Sequence, residues 1–232
     1  YSVSLAGAGG GCPPSCGGPV GQFARAITND PTNIFLLMDN TGTGGKDKIV
    51  KADLAGASLA AYNAPGSEHE GLAFLGGFLY TVDNGMFPLK LYKLAPATGA
   101  VQSGYPLNLP PLVEQLGDLT VNAAGTGLIG VGRYSDKLYE IDPTTGGLTS
   151  TKTMIAVPPA YNPMGMEGLT LVTGAPSSPF LLGAKGTGFF FINIATGSIY
   201  DFKSVSDFPP YNISGLTQRG GDILMTDDSQ QV

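Results

Sequence analysis

One phrase recurs along this chain at a spacing of more than forty residues. The segment LYKLAPATG at 91–99 returns as LYEIDPTTG at 138–146 and, with less similarity, as FFINIATG at 190–197 and IVKADLAG at 49–56. The glycines that end the four copies are 43, 47 and 51 residues apart. A period in the forties, carried by β-branched and aromatic residues, is typical of four-stranded propeller blades. The sequence therefore predicts an all-β β-propeller.

Two further strands recur in step with this phrase. A first strand is predicted at 24–28, 72–75, 119–121, 169–172 and 216–218, and an apolar second strand follows each time. The repeated phrase forms the third strand, and its closing glycine suits a turn that needs positive φ. Five first strands predict five four-stranded blades, with residues 24–232 as the propeller domain.

Residues 1–23 form a separate N-terminal segment that combines a strand with a Gly/Pro/Cys-rich stretch. Tyr1, Val3 and Leu5 alternate with two serines, which is typical of a strand with one buried face. The fifth repeat is short of strands, so we expect this strand to complete the last blade. Because unpaired strand edges attract strands, it closes either its own ring or that of a neighbouring subunit, which would build a homopolymer.

The composition limits the classes of partner. The 232 residues include 35 Gly and 18 Pro, only 13% are charged, and the net charge is −6. An acidic chain without a Lys/Arg cluster is not expected to bind nucleic acid, and no apolar run reaches the roughly 18 residues of a membrane span. The expected partners are therefore other protein subunits.

The cysteines and the composition predict an extracellular or cell-surface location. Cys12 and Cys16 lie four positions apart within one Gly-rich segment, where a local disulfide would stiffen the chain. Asn212 begins an Asn-Ile-Ser sequon and is a candidate glycosylation site. Low charge with abundant small residues is also typical of extracellular surface proteins.

The Leu-Tyr-x-Ile-Asp-Pro-x-Thr-Gly phrase resembles the repeats of secreted microbial propellers, including quinoprotein-like and cell-surface families without an assigned function. The segment GFLYTVD at 77–83, with acids at the openings of inner strands, resembles calcium-dependent apyrases, which are five-bladed propellers with a metal in the central channel. The first resemblance is structural and implies no catalytic residues. The second implies a cation near the axis.

A ring of acids is the leading candidate site. Glu70, Glu167 and Ser214 occupy one aligned position at the start of inner strands, and Asp118 sits one place later in its blade. Inner strands converge on the axis of a propeller, and clustered carboxylates suit Ca²⁺. These four residues are the predicted metal ligands. The alternative is that Glu70 and Glu167 bond backbone amides or channel water.

A second polar ring follows the second strands, and its members carry opposite charges. We expect these residues to satisfy one another as a rim rather than to form a substrate pocket; they are Asp39, Asn40, Asp83, Asn84, Arg133, Lys185, Asp227 and Asp228. His69 adjoins Glu70 and is a candidate general base beside a metal, although a single loop histidine is more often solvated.

The sequence predicts no catalytic constellation and no bound organic cofactor. One histidine allows no choice of triads, and no nucleophile elbow is present. The leading hypothesis is a non-enzymatic extracellular propeller that acts as a structural or adhesive surface or as a filament subunit. The alternative is a calcium-dependent hydrolase or ligand-binding propeller that uses the axial carboxylates.

Overall fold

The structure is an all-β propeller. The computed structural model describes residues 23–39, 46–110, 114–156, 162–175, 179–204 and 212–227. These residues form nineteen β-strands, and none of them is helical. Accordingly, this part of the chain contains no helix long and apolar enough to cross a bilayer.

Four blades contain four antiparallel strands each, running outward from an inner strand. Blade 1 comprises β1 (Phe23–Asn29), β2 (Asn33–Asp39), β3 (Lys48–Asp53) and β4 (Ser58–Asn63). Blade 2 comprises β5 (His69–Leu75), β6 (Phe78–Asp83), β7 (Leu89–Leu94) and β8 (Val101–Leu107). Blade 3 comprises β9 (Leu116–Val121), β10 (Leu128–Gly132), β11 (Lys137–Ile141) and β12 (Leu148–Thr153).

The fourth blade carries one additional short strand. After β13 (Ile155–Ala156) come β14 (Gly168–Val172), β15 (Phe180–Lys185), β16 (Gly188–Ile192) and β17 (Ser198–Ser204). The outermost of these, β17, pairs in parallel with β13 and thereby widens the sheet to five strands.

The prediction of five four-stranded blades is wrong. The structure has four blades, and β18 (Ile213–Arg219) and β19 (Asp222–Asp227) form a two-stranded sheet. The phrase that forms the third strand occurs four times, once in each complete blade, and the last repeat lacks it. Residues 1–22 lie outside the described residues, so completion of this sheet by the N-terminal strand stays a prediction.

The inner strands form a closed ring. Each of β1, β5, β9 and β14 contacts the next inner strand, and β18 contacts both β14 and β1. The side chain of Ser214 donates to the carbonyl of Ala24 at 2.5 Å, and Thr217 donates to Asn29 at 2.8 Å. The two-stranded sheet therefore occupies the position between blade 4 and blade 1.

The hydrophobic core lies between the blades. Phe35 and Leu37 of blade 1 pack with Leu79 of blade 2, and three similar clusters fill the next three gaps around the ring. Because both faces of each middle strand are covered, the second strands are continuous apolar runs. Burial of this surface between neighbours is what holds the blades together.

The turns after the repeated phrase form as predicted. The four closing glycines all have positive φ, between 69° and 89°; they are Gly56, Gly99, Gly146 and Gly197. The inner strands, in contrast, begin earlier than predicted: β5 starts at His69 and β9 at Leu116. Three of the candidate ligands, Glu70, Asp118 and Ser214, therefore lie within strands.

Candidate axial site

A cavity of about 270 Å³ lies where the inner strands begin. Its lining residues all stand near the start of an inner strand or the end of a second strand; they are Phe23, Arg25, Asp39, Glu70, Arg133, Glu167 and Ser214. In an antiparallel hairpin these two positions are adjacent, so the ring brings them together at one end of its axis. We call this space the axial cavity.

Five charged side chains of the axial cavity form one network. Arg25 bonds Asp39, with 2.8 Å between Nε and Oδ2, and also bonds Glu70. On the other side, Arg133 Nη1 donates to Glu70 Oε1 at 2.9 Å, and its Nη2 lies 3.8 Å from Glu167 Oε1. Acidic and basic groups thus alternate through three blades and the start of blade 4.

Glu70 is the centre of this network and its most buried member. Its side chain is 7% exposed, against 25% and 27% for the two arginines. Burial raises the pKa of Glu70 to about 7, although Arg25 and Arg133 act to lower it. Desolvation of a carboxylate disfavours its charged form, and here that cost exceeds the gain from the two cations.

Asp118 does not line the axial cavity, contrary to its predicted role as a ligand. It is fully buried, and its carboxylate accepts from the backbone amides of Leu119 and Leu169 at 2.7 Å each and from that of Leu72. Burial raises the pKa of Asp118 well above its usual range. This side chain joins three neighbouring inner strands.

The other three predicted ligands meet at the axial cavity, but each has protein partners. Glu70 bonds the two arginines, and Glu167 Oε2 accepts from Asn212 Nδ2 at 3.1 Å. Ser214 lies 3.1 Å from Thr226 Oγ1 besides donating to Ala24. Among the described residues, no three His, Cys, Asp or Glu side chains are placed to hold a metal ion together. Guanidinium groups beside the carboxylates fit a bound cation poorly.

The second polar ring divides into several local arrangements. Asp39 and Arg133 belong to the axial network, whereas Asp83 Oδ1 accepts from the amides of Glu68 and Gly85. Asn84 bonds both backbone groups of Leu116. Lys185 donates to the carbonyls of Met164 and Asn162. Asn40 and Asp228 lie outside the described residues.

The expectation of a solvated His69 is wrong. The residue is 1% exposed, its Nδ1 lies 3.3 Å from Thr81 Oγ1, and its amide donates to Asp47 at 2.8 Å. Burial lowers the pKa of His69, although Asp83 and Asp47 act to raise it. Because the first position of β5 is packed against its neighbours, this imidazole does not line the axial cavity beside Glu70.

Arg25 is the site residue that sequence reasoning missed. It is the one charged residue in Phe23-Ala24-Arg25-Ala26-Ile27, an otherwise apolar inner strand. A charge in such a strand requires a partner, since burial of an unpaired charge is costly. That isolated charge is the sequence pattern that identifies it.

Comparisons with known proteins establish the fold. No protein-family model and no curated protein matches the sequence. The crystal structure of Myxococcus xanthus glutaminyl cyclase is similar, with a TM-score of 0.62, 14% identity and coverage of 89% of both chains. The WD40 propeller domain of Doa1 has a TM-score of 0.55 at 9% identity, covering 89% of this chain and 61% of that one.

A third similar structure has no assigned function. It is a protein from Bacteroides caccae, with a TM-score of 0.52 and 14% identity over 85% of this chain and 66% of that one. At such identities the similarity defines a β-propeller and does not extend to an activity.

Proposed function

We propose that this protein is a non-enzymatic extracellular or cell-surface propeller that acts as a structural or adhesive surface or as a filament subunit. The observation that carries this proposal is the edge of the last sheet. In the part of the chain that the structure describes, β19 pairs with β18 and with no other strand. Exposed strand edges pair readily with added strands.

The occupant of this edge is the alternating strand at Tyr1–Leu5. The segment between it and β1 is about eighteen residues long, which reaches about 60 Å when extended at roughly 3.3 Å per residue. It therefore has the length to complete the last sheet of its own ring or that of a neighbouring copy. Exchange between copies would make a filament, and closure within one chain would leave a single propeller with an adhesive surface.

Exposed apolar side chains support a surface role. Met86, Phe87 and Tyr134 are 53%, 56% and 57% exposed. They lie in the loops after β6 and β10, at the end of the ring where the axial cavity opens. Leu59 and Val101 on outer strands are exposed to a similar extent, so both this end of the ring and the outer edges of the blades offer apolar side chains to another macromolecule.

A single substitution in the N-terminal strand tests the proposal. Val3→Pro removes an amide donor and disrupts strand pairing, whereas the control Val3→Thr keeps a β-branched residue. If copies exchange strands, light scattering should show an assembly for the intact chain and for the control, and a monomer for Val3→Pro.

Closure within one chain gives a different result. All three proteins would then be monomers, and only Val3→Pro would melt at a lower temperature. That outcome would refute the filament and leave the single propeller. Unchanged assembly and unchanged melting in Val3→Pro would show that the N-terminal strand pairs with nothing.

The extracellular location has its own test. Cys12 and Cys16 lie outside the described residues, and their disulfide stays a prediction. Intact-mass analysis after alkylation without reductant should show no label on either cysteine. Two labelled thiols would contradict the extracellular assignment.

The axial cavity favours a second candidate function, that of a ligand-binding propeller. Its volume and its charged lining are the observations in favour. The calcium-dependent hydrolase that the sequence also suggested requires carboxylates available to a cation, and here Arg25 and Arg133 both bond the central carboxylate of Glu70.

A further inference from the structure

The two arginines of the axial network differ in how many of their N–H donors make hydrogen bonds. Arg25 donates from Nε and both terminal nitrogens to Asp39 and Glu70. Within the described residues, Arg133 makes one side-chain hydrogen bond, from Nη1 to Glu70. A guanidinium has five N–H donors, so Arg133 retains donors that can bind another group.

The pair formed by Arg133 and Glu167 is the open end of this network. The gap of 3.8 Å between Nη2 and Oε1 is longer than a hydrogen bond. Their side chains are 27% and 28% exposed, whereas those of Glu70 and Asp39 are 7% and 10% exposed. A positive and a negative group therefore stand side by side at the cavity wall, both accessible.

The charge of the cavity limits what can bind there. Three acids and two arginines give a net charge of −1 when Glu70 is ionised and zero when it is protonated. An anion would meet the carboxylate of Glu167 beside Arg133, and a cation would meet the guanidinium beside Glu167. A small molecule that carries both charges can place its negative group on Arg133 and its positive group on Glu167. Neither group of the ligand then lies against a protein group of like charge only.

The volume sets the size of such a ligand. A cavity of about 270 Å³ is far larger than the roughly 10–15 Å³ that one water needs, so it has room for a small organic molecule. Small free α-amino acids are of this size. Their carboxylate also matches the planar fork of a guanidinium, which binds carboxylates through two parallel hydrogen bonds.

We infer that the axial cavity binds a small zwitterion of the α-amino-acid class, with its carboxylate on Arg133 and its ammonium on Glu167. This site goes beyond the structural role proposed above and does not depend on assembly. No covalent step is involved.

Calorimetric titration of the intact protein with three probes tests the site. Alanine as the free amino acid carries both charges, acetate carries only the carboxylate, and methylammonium carries only the cation. We expect saturable binding of free alanine, and binding at least about tenfold weaker for the two single-charge probes, because each loses one charge-assisted hydrogen bond.

Variants locate the binding. Arg133→Gln and Glu167→Gln should each weaken binding of free alanine by about tenfold or more. Asp136→Asn and Lys137→Gln are matched controls, since this ion pair of 3.7 Å lies near Arg133 in sequence but outside the cavity lining. These controls should stay within about twofold of the unmodified protein.

Two outcomes overturn the inference. No saturable binding of free alanine to the unmodified protein would show that the cavity is not such a site. Acetate binding as tightly as free alanine, with Glu167→Gln strengthening both, would define an anion site instead. The probes act on the unmodified protein, so the result does not depend on whether a variant folds.

Discussion

Glu70 couples the stability of the propeller to pH. Its pKa is about 7 in the folded protein, mainly because of burial, against 4.5 for the free side chain. Between these values the folded state holds a proton that the unfolded state has lost. The free energy of unfolding therefore falls as the pH rises from 4.5 to 7, and this contribution is constant above that range.

Glu70→Gln should remove this slope. We expect the unmodified protein to lose up to about 3 kcal/mol relative to the variant between pH 4.5 and pH 7, as measured by urea unfolding. Glu140→Gln is a control of opposite sign, since the hydrogen bond from Lys152 lowers the pKa of Glu140. Parallel curves for the unmodified protein and Glu70→Gln would contradict this assignment.

Asp118 holds three inner strands together through one carboxylate. Replacement by alanine leaves the amides of Leu72, Leu119 and Leu169 without their acceptor in a dry interior. At about 1–3 kcal/mol for each of the three unsatisfied amides, we expect Asp118→Ala to cost about 3–9 kcal/mol in urea unfolding. Asp136→Ala, at an exposed acid, should cost less than about 0.5 kcal/mol. Equal costs for the two variants would refute the role given to Asp118.

At the scale of the strands, glycines set the spacing of the ring. At four inner-strand glycines, an added Cβ would lie 3.1 Å or less from an atom of the neighbouring blade or sheet. These glycines are Gly71, Gly117, Gly168 and Gly215. At Gly117 the nearest atom is the carbonyl oxygen of Met166, only 2.0 Å away. Side chains at these positions would push neighbouring blades apart.

Gly215→Ala tests this spacing at the junction of the first and last sheets. Its Cβ would lie 2.6 Å from Ala26 Cα, which is a backbone atom that cannot rotate away. We expect a loss of about 1–3 kcal/mol or more, seen as a lower melting temperature. Gly221→Ala is the matched control in the same sheet, because nothing lies within 4 Å of its added Cβ. An unchanged melting temperature for Gly215→Ala would show that the two sheets are not in contact.

The elements could be predicted from the sequence because they repeat. The strands of each hairpin and the turn glycines follow from local patterns that occur several times. The number of complete blades was overestimated because inner and second strands recur five times, while the third-strand phrase occurs four times. The inner strands begin earlier because pairing with the second strands extends them past the leucine that marks their pattern.

The axial site was less accessible to sequence reasoning because its contacts join different blades. Arg25 and Glu70 are 45 residues apart, and only closure of the ring brings them together. Asp118 was misplaced because it follows the bulge residue Gly117 of β9, whereas Glu70 precedes the equivalent bulge residue Gly71 of β5. A bulge redirects the side chains beside it, so a shift of one position in the sequence moves an acid from the cavity into the core.

At the scale of the whole molecule, the acids of the axis do not need a cation to balance them. We therefore expect a chelator to leave the melting temperature unchanged. A bound native-state ligand at a hundredfold excess over Kd adds about 2.7 kcal/mol, which such a scan resolves easily. A lower melting temperature with chelator, abolished by Glu70→Gln with Glu167→Gln, would instead support the calcium site.

The contact between β1 and β18 also determines when the ring of inner strands can close during synthesis. Ala24 and Ser214 are 190 residues apart, so a ribosome adding about 5–20 residues per second delivers the second roughly 10–40 s after the first. Throughout that time the inner edge of the first blade has no neighbour on one side. The early blades must therefore wait, partly uncovered, for the last sheet to leave the ribosome.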